Sequence, residues 1–219
     1  MRALPLLVSL ASVMVMGSPR AAGAAGLWPL SRALGAQSAT AQVEVYAARA
    51  VETRPKLRTL EQEMLPGALW HRRELGNGEV LEARLGVRSA RIAYVPVGGS
   101  ATLVCASVVE VPAADVDQAL GRSATPPCGV RHEVVTVRAR LPERPTAARL
   151  RAVLRLAGVV SRGIVHGPEG ILALAEAPGL GPDVAIGGVP VNLAVQITYD
   201  SAHGARAVLA TPMLPGSAP

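Results

Sequence analysis

Residues 131–141 alternate between apolar and polar side chains with a period of two. The first face of this pattern comprises Val135, Val137, Ala139 and Leu141, and the second comprises His132, Val134, Thr136, Arg138 and Arg140. A period of two is the repeat of a β-strand, whereas an α-helix repeats every 3.6 residues. The segment therefore predicts a strand with one apolar face.

Other patterns predict further elements on both sides of this strand. Apolar runs predict strands at 42–50, 90–95, 101–111, 164–165, 170–175, 191–198 and 205–211, with a hairpin turn at 96–99. Helical spacing predicts helices at 57–65, 79–85, 113–120 and 146–157. We expect Gly86 and Gly121 to end the second and third of these, and Thr146 to cap the fourth. Residues 178–190, rich in glycine and proline, predict an irregular crossing.

Strands interleaved with a few helices indicate an α+β fold with a mainly antiparallel sheet. We expect one domain over residues 42–214, preceded by a flexible segment at 25–41 and followed by a tail at 215–219. Whether the domain divides into sub-lobes at 42–142 and 143–214 is left open.

The N-terminus has the three-part layout of a secretory signal peptide. Arg2 supplies a positive charge, residues 4–16 are mostly apolar, and small residues follow at 21–25. This run is shorter than the roughly 20 apolar residues that a membrane-spanning helix needs. We therefore expect residues 1–24 to be a signal peptide, rather than a retained anchor or an alanine-rich core helix. Cleavage follows Ala24 or, alternatively, Ala41, and the mature protein is extracytoplasmic, with membrane contact only during export.

The chain has two cysteines, Cys105 and Cys128. Export makes a disulfide between them chemically plausible. Two buried free thiols are the alternative, since a single pair offers no spacing pattern to test.

Charge and composition argue against nucleic acid as a partner. The formal net charge is +6, but the cations are spread along the chain rather than clustered. Such a distribution is typical of a solvated surface, not of a nucleic-acid footprint.

Residues that could carry catalysis or bind a metal lack the spacing that such sites require. The histidines are scattered without ligand spacing: His71, His132, His166 and His203. Ser201 lies two residues from His203, but in a predicted hairpin tip at 200–204. The acidic pairs in predicted helices are two residues apart and point to different faces: Glu61 with Glu63, and Asp115 with Asp117. The sequence therefore predicts no catalytic, cofactor or metal site.

A segment near the C-terminus carries a more specific pattern. Residues 192–201 have the sequence Asn-Leu-Ala-Val-Gln-Ile-Thr-Tyr-Asp-Ser, and residues 210–214 have the sequence Ala-Thr-Pro-Met-Leu. This pattern resembles the closing hairpin of the YwmB-like family of exported proteins from spore-forming Gram-positive bacteria, where Asn-Leu-Gln-Val-Ala-x-Arg-Tyr-Asn precedes a strand ending near Gly-Thr-Pro. Gln196, Thr198 and Ala210 depart from the family pattern. The overall resemblance covers residues 42–214, although only the final hairpin is motif-like.

The resemblance implies a TATA-box-binding-protein-like fold and an envelope-associated, non-enzymatic protein linked to the cell envelope or sporulation. It singles out Asn192, Tyr199, Thr211 and Pro212 in the hairpin, for which we expect structural roles. For Asn192 and Tyr199 we expect strand-end hydrogen bonding and cross-strand packing, with ligand contact as the alternative. We do not carry over DNA binding, because bending the minor groove needs apolar wedges, commonly phenylalanine, and this chain has no phenylalanine. The expected function is an interaction module for an envelope protein or polymer. The alternative is a peptidoglycan-binding protein or hydrolase.

Overall fold

The computed structural model describes residues 26–123, 126–180, 184–199 and 204–211. The predictions for the signal peptide at 1–24, for Pro212, for most of the loop at 200–204 and for the tail at 215–219 lie outside the described residues. No helix within the described ranges is long and apolar enough to cross a membrane.

The described residues form four α-helices, one 3₁₀ turn at Ala113–Asp115 and twelve strands. The helices are α1 Leu27–Ala33, α2 Leu57–Met64, α3 Val116–Arg122 and α4 Ala147–Leu156. The strands before α4 are β1 Ala39–Val51, β2 Trp70–Leu75, β3 Gly78–Leu85, β4 Arg88–Val97, β5 Ser100–Pro112 and β6 Val130–Leu141. Those after it are β7 Val160–Gly167, β8 Gly170–Glu176, β9 Val184–Ile186, β10 Val189–Val191, β11 Leu193–Tyr199 and β12 Ala205–Thr211.

The chain divides into two compact units. The disulfide unit comprises residues 42–111 and 115–133, and the terminal unit comprises the rest of the described chain. Most strand pairs are antiparallel, which confirms the predicted α+β class.

The disulfide unit contains a sheet with the strand order β2-β3-β4-β5-β1. Leu57, Leu60 and Met64 recur at helical spacing, so α2 presents one apolar stripe to the sheet. This stripe joins a buried cluster that includes Ile92, Leu103 and both cysteines. The core of the unit therefore lies on one face of the sheet, and strand alternation sends the intervening side chains to the other face.

The terminal unit contains a sheet with the strand order β6-β12-β11-β8-β7. Thr146 is the N-cap of α4, because its side chain accepts a hydrogen bond from the Arg149 amide, as predicted. Leu150 and Leu154 on α4 are fully buried. Helix α1 contacts both β12 and α4, so it belongs to the same core.

Residues 79–85 are a strand, so the predicted helix there is wrong. Strand β3 pairs with β2 on one side and β4 on the other, and its central residues Val80, Leu81 and Ala83 are buried. Hydrogen bonding on both edges outweighs the helix preference of these residues. The preceding turn at Gly76 and Asn77 was a strand signal, because glycine followed by asparagine suits a two-residue hairpin.

Four smaller predictions also need correction. Part of the segment predicted to be flexible forms α1, because Leu27, Leu30 and Leu34 bury an apolar stripe. The crossing predicted as irregular contains the β9–β10 hairpin, and Asn192 interrupts the strand predicted at 191–198. Helix α3 continues past Gly121 to Arg122.

A disulfide joins Cys105 on β5 to Cys128 in the loop before β6, with a Cα–Cα distance of 5.8 Å. Both residues are fully buried in the core of the disulfide unit. The closed loop spans 23 positions, so on the chain-entropy account the bond stabilises the protein by about 3 kcal/mol.

We expect the Cys105→Ala/Cys128→Ala double variant to lose about 3 kcal/mol in free energy of unfolding, because its unfolded chain regains the entropy of the open loop. Urea denaturation followed by circular dichroism measures the loss, with reduced wild-type protein as the matched control. Equal transition midpoints for oxidised protein, reduced protein and the variant would contradict the expectation.

Candidate functional site

A cleft of about 440 Å³ lies on the sheet of the disulfide unit, where β1 to β5 present their outward-facing side chains. Its polar lining includes Gln42, Glu44, His71, Glu82, Arg91 and Glu110. Along their strands, most of these residues alternate with residues of the buried core cluster. Because successive side chains of a strand point to opposite faces of the sheet, these residues lie on the face away from that core. The cleft therefore combines charges of both signs.

The register of three strands builds the centre of the cleft. Glu82 on β3 lies opposite Arg91 on β4, which in turn lies opposite Ala106 on β5. Arg91 Nε donates a hydrogen bond of 2.8 Å to Glu82 Oε1, and both side chains are about half exposed. The small side chain of Ala106 leaves space beside the arginine, and this space forms part of the cleft.

Glu44 enters the cleft from β1, the strand after β5 in the sheet. Burial raises the pKa of its carboxyl group above the usual range, and the nearby Arg91 guanidinium offsets part of this rise. Burial also raises the pKa of Tyr46, and the Glu44 carboxylate adds to that shift. Glu44 is therefore a carboxyl group poised to hold its proton more tightly than an exposed glutamate.

Because burial raises the pKa of Glu44 in the folded state, the ionised form of this residue lowers the stability of the fold at neutral pH. Because folding raises its pKa, the folded state binds the proton more tightly than the unfolded chain. The protonated Glu44 carboxyl group makes its full contribution to stability below the pKa that this group has in the unfolded chain. The contribution is lost as pH rises through the higher pKa of the folded state. A residue of this kind in a cleft is a candidate for function, because it gives the fold no advantage at neutral pH.

An aromatic pair joins β1, which lines the cleft, to β6. The rings of Tyr46 on β1 and His132 on β6 stack with centroids 5.2 Å apart and an interplanar angle of 23°. Tyr46 lies two residues along β1 from Glu44, so the stack flanks the cleft.

The hairpin residues singled out from the sequence contact backbone groups of the terminal unit. Asn192 Oδ1 accepts a hydrogen bond from the Ala177 amide at 2.7 Å, and its Nδ2 donates to the Ala177 carbonyl oxygen at 3.0 Å. The Tyr199 hydroxyl donates to the Pro145 carbonyl oxygen at 2.9 Å, and Thr211 Oγ1 donates to the Leu180 carbonyl oxygen at 2.5 Å. Each contact joins a residue at or beside a strand end to a backbone group outside the strands.

Sequence reasoning missed the central residues of the cleft. Glu44, Glu82 and Arg91 occupy polar positions of strands, and nothing in their spacing links them along the chain. The available sequence signal for the site was that each of these charged residues lies inside a strand segment rather than at its end. Of the three histidines that the structure describes, His71 lines the cleft. Within the described ranges, no three His, Cys, Asp or Glu residues lie close enough to hold a metal ion.

In comparisons with known proteins, the chain matches no protein-family model and no curated protein sequence.

Proposed function

We propose that the protein is exported and acts as a non-enzymatic, envelope-associated binding module of the YwmB-like type, with a TATA-box-binding-like fold. Its cleft receives a polar segment of an envelope polymer or envelope protein. The sequence pattern of the C-terminal hairpin supports the relationship to the YwmB-like family. The Cys105–Cys128 disulfide is compatible with an extracytoplasmic location.

The mixed charge of the cleft carries the proposal. Its volume of about 440 Å³ lies in the range of ligand sites, but its lining holds the carboxylates of Glu44, Glu82 and Glu110 against the guanidiniums of Arg84 and Arg91. Such a lining suits a polar ligand that carries both hydrogen-bond donors and acceptors. Peptidoglycan, with amino, carboxyl and hydroxyl groups on one polymer, has this chemistry.

We expect Arg91→Gln to weaken the binding of soluble peptidoglycan fragments by about tenfold, since a hydrogen bond to a charged group contributes roughly 1.5 kcal/mol or more. Loss of this cation also leaves Glu44 and Glu82 without their shared positive neighbour. Calorimetric titration with purified fragments measures the affinity. The matched control is Arg162→Gln, which removes an arginine from a one-to-one ion pair with Glu176 outside the disulfide unit. Equal affinities for wild type and Arg91→Gln would contradict the proposal.

The second candidate function is hydrolysis of an envelope polymer, which the raised pKa of Glu44 favours because a general acid must hold its proton near neutral pH. The strand order argues against Glu44 and Glu82 as the catalytic pair, whereas Glu110 lies on β5, the strand beside β1. Glu44 and Glu82 lie on strands separated by β5 and β4, so their Cα atoms are about 14 Å apart at the usual strand spacing. Carboxylate pairs in glycosidases lie about 5–9.5 Å apart.

The Glu44→Gln variant separates the two functions. A general acid is required for turnover, so the variant would lower turnover of peptidoglycan by a factor of about 10² or more if the protein were a hydrolase. A binding module shows no turnover in either form, and only its affinity changes. Fragment release from purified cell walls, measured by chromatography, distinguishes these outcomes, and release by wild-type protein would overturn the non-enzymatic proposal.

A further inference from the structure

The carboxylate of Glu79 binds two arginines. Arg54 contacts its Oε1 atom, and Arg72 Nε lies 3.0 Å from its Oε2 atom. The cluster of Arg54, Arg72 and Glu79, here called the arginine pair, therefore has a net charge of +1.

The burial of the three side chains is unequal. The Glu79 side chain is 8% exposed, whereas those of Arg54 and Arg72 are 54% and 56% exposed. Each guanidinium has five N–H donors and uses only part of them on the carboxylate. The buried glutamate thus holds two guanidiniums whose side chains are about half exposed, so donors that it does not use are open to a ligand.

A neighbouring ring also restrains the first arginine. The Cζ atom of Arg54 lies 5.9 Å from the centroid of the Tyr94 ring, within the range of a cation–π contact. Tyr94 is directly opposite Glu79 in the pairing of β3 with β4. Contacts on two sides reduce the side-chain entropy that Arg54 would lose on binding a ligand.

We propose that the arginine pair is a binding site for a phosphate group, either free phosphate or the headgroup of an anionic phospholipid. Guanidinium donors form a planar fork that matches phosphate oxygens, and two forks fixed on one carboxylate can each reach a different oxygen of the same tetrahedral anion. The site is independent of the cleft, because Glu79 and Arg72 occupy strand positions that point to the opposite sheet face.

Glu74 is the charged group that opposes this binding. It lies directly across from Glu79 in the pairing of β2 with β3, is exposed, and forms no ion pair with either arginine in the described structure. Its carboxylate repels an anion at the site. The Glu74→Gln variant removes this repulsion without breaking an ion pair of the cluster, so it should bind phosphate more tightly.

The test is titration of inorganic phosphate into the full chain at constant ionic strength, followed by NMR of the ¹⁵N-labelled arginine Nε–H groups. We expect saturable shifts at Arg54 and Arg72 with a dissociation constant on the order of 1 mM. Arg72→Gln should weaken binding about tenfold, and Glu74→Gln should strengthen it about threefold. The control Arg162→Gln should leave the affinity unchanged.

A second arm identifies the source of the phosphate. Flotation with phosphatidylglycerol vesicles, compared with phosphatidylcholine vesicles, tests for a headgroup site, and binding lost in Arg72→Gln assigns it to the arginine pair. Phosphate binding without vesicle binding assigns the site to the free anion. The proposal is overturned if neither ligand gives saturable binding, or if Arg72→Gln binds as tightly as the wild type. Shifts at Arg162 equal to those at Arg72 would overturn it as well.

Discussion

A chain that starts at Gln42 is expected to lose the folded terminal unit, whereas a chain that starts at Gly26 is expected to keep it. The difference is residues 26–41, which hold α1 and the first three residues of β1, and in which Leu27, Leu30 and Leu34 are at most 4% exposed and pack in the core. Full burial of a leucine side chain stabilises a fold by about 1.5–3 kcal/mol. Loss of three such residues removes about 4.5–9 kcal/mol, which is comparable to the entire stability of many domains.

Thermal unfolding followed by circular dichroism compares the two truncated chains, and the chain starting at Gly26 is the control for removal of the N-terminal residues alone. A cooperative transition at the same temperature in both would show that α1 is dispensable. Under the export proposed above, the same reasoning favours cleavage after Ala24 over cleavage after Ala41, because the second cut would discard α1. Mass spectrometry of the protein from its native source tests both the export and the position of the cut.

We expect Gly170→Ala to destabilise the protein by about 4 kcal/mol. Gly170 has a φ of +155°, and a Cβ atom there would lie well inside contact distance of the Ile197 carbonyl oxygen on β11. It would also lie 3.1 Å from the Cα atom of Thr198. Both obstacles are backbone atoms of the adjacent strand, so relief requires β8 and β11 to separate, and overpacking adds to the strain of the backbone angle.

Gly167→Ala is the matched control for this substitution. Gly167 pairs with Gly170 in the β7–β8 hairpin, but an added Cβ atom would meet nothing within 4 Å. We expect a change of less than about 0.5 kcal/mol there, as for most surface substitutions. Chemical denaturation of the two variants gives the comparison, and similar losses for both would argue against the close approach of β8 to β11.

Local signals explain which elements could be predicted from the sequence. The strand at 131–141 and the helix capped by Thr146 were predictable because alternation, capping and apolar spacing act within a few residues. The strand β3 was not, since residues 79–85 are mostly good helix formers and their strand state depends on hydrogen bonds to β2 and β4. Residues 27–34 were missed for a related reason: a short apolar helix gains stability only from the core that it joins.

The candidate sites were less predictable than the fold. Glu82 and Arg91 meet through the register of a hairpin, and Glu44 joins them only because β1 lies beside β5. The arginine pair depends on a diagonal contact between Arg72 and Glu79 across β2 and β3. Strand order and register bring the residues of each site together, and the pattern of residues along the sequence does not specify either of them directly. The hairpin residues Asn192, Tyr199 and Thr211, by contrast, were singled out by resemblance alone.

The packing of α1 against β12 sets an order of events during folding. Helix α1 is the first described element of the chain and β12 is the last, so their contact closes one of the longest loops that this chain can form. Residues 42–133, which include both cysteines, can acquire their contacts earlier because their partners are closer in sequence. The terminal unit must instead wait for β12, so a nascent chain cannot complete the packing around the apolar stripe of α1 until that strand has been synthesised. During that interval the stripe is a site where a chaperone can bind and where aggregation can begin.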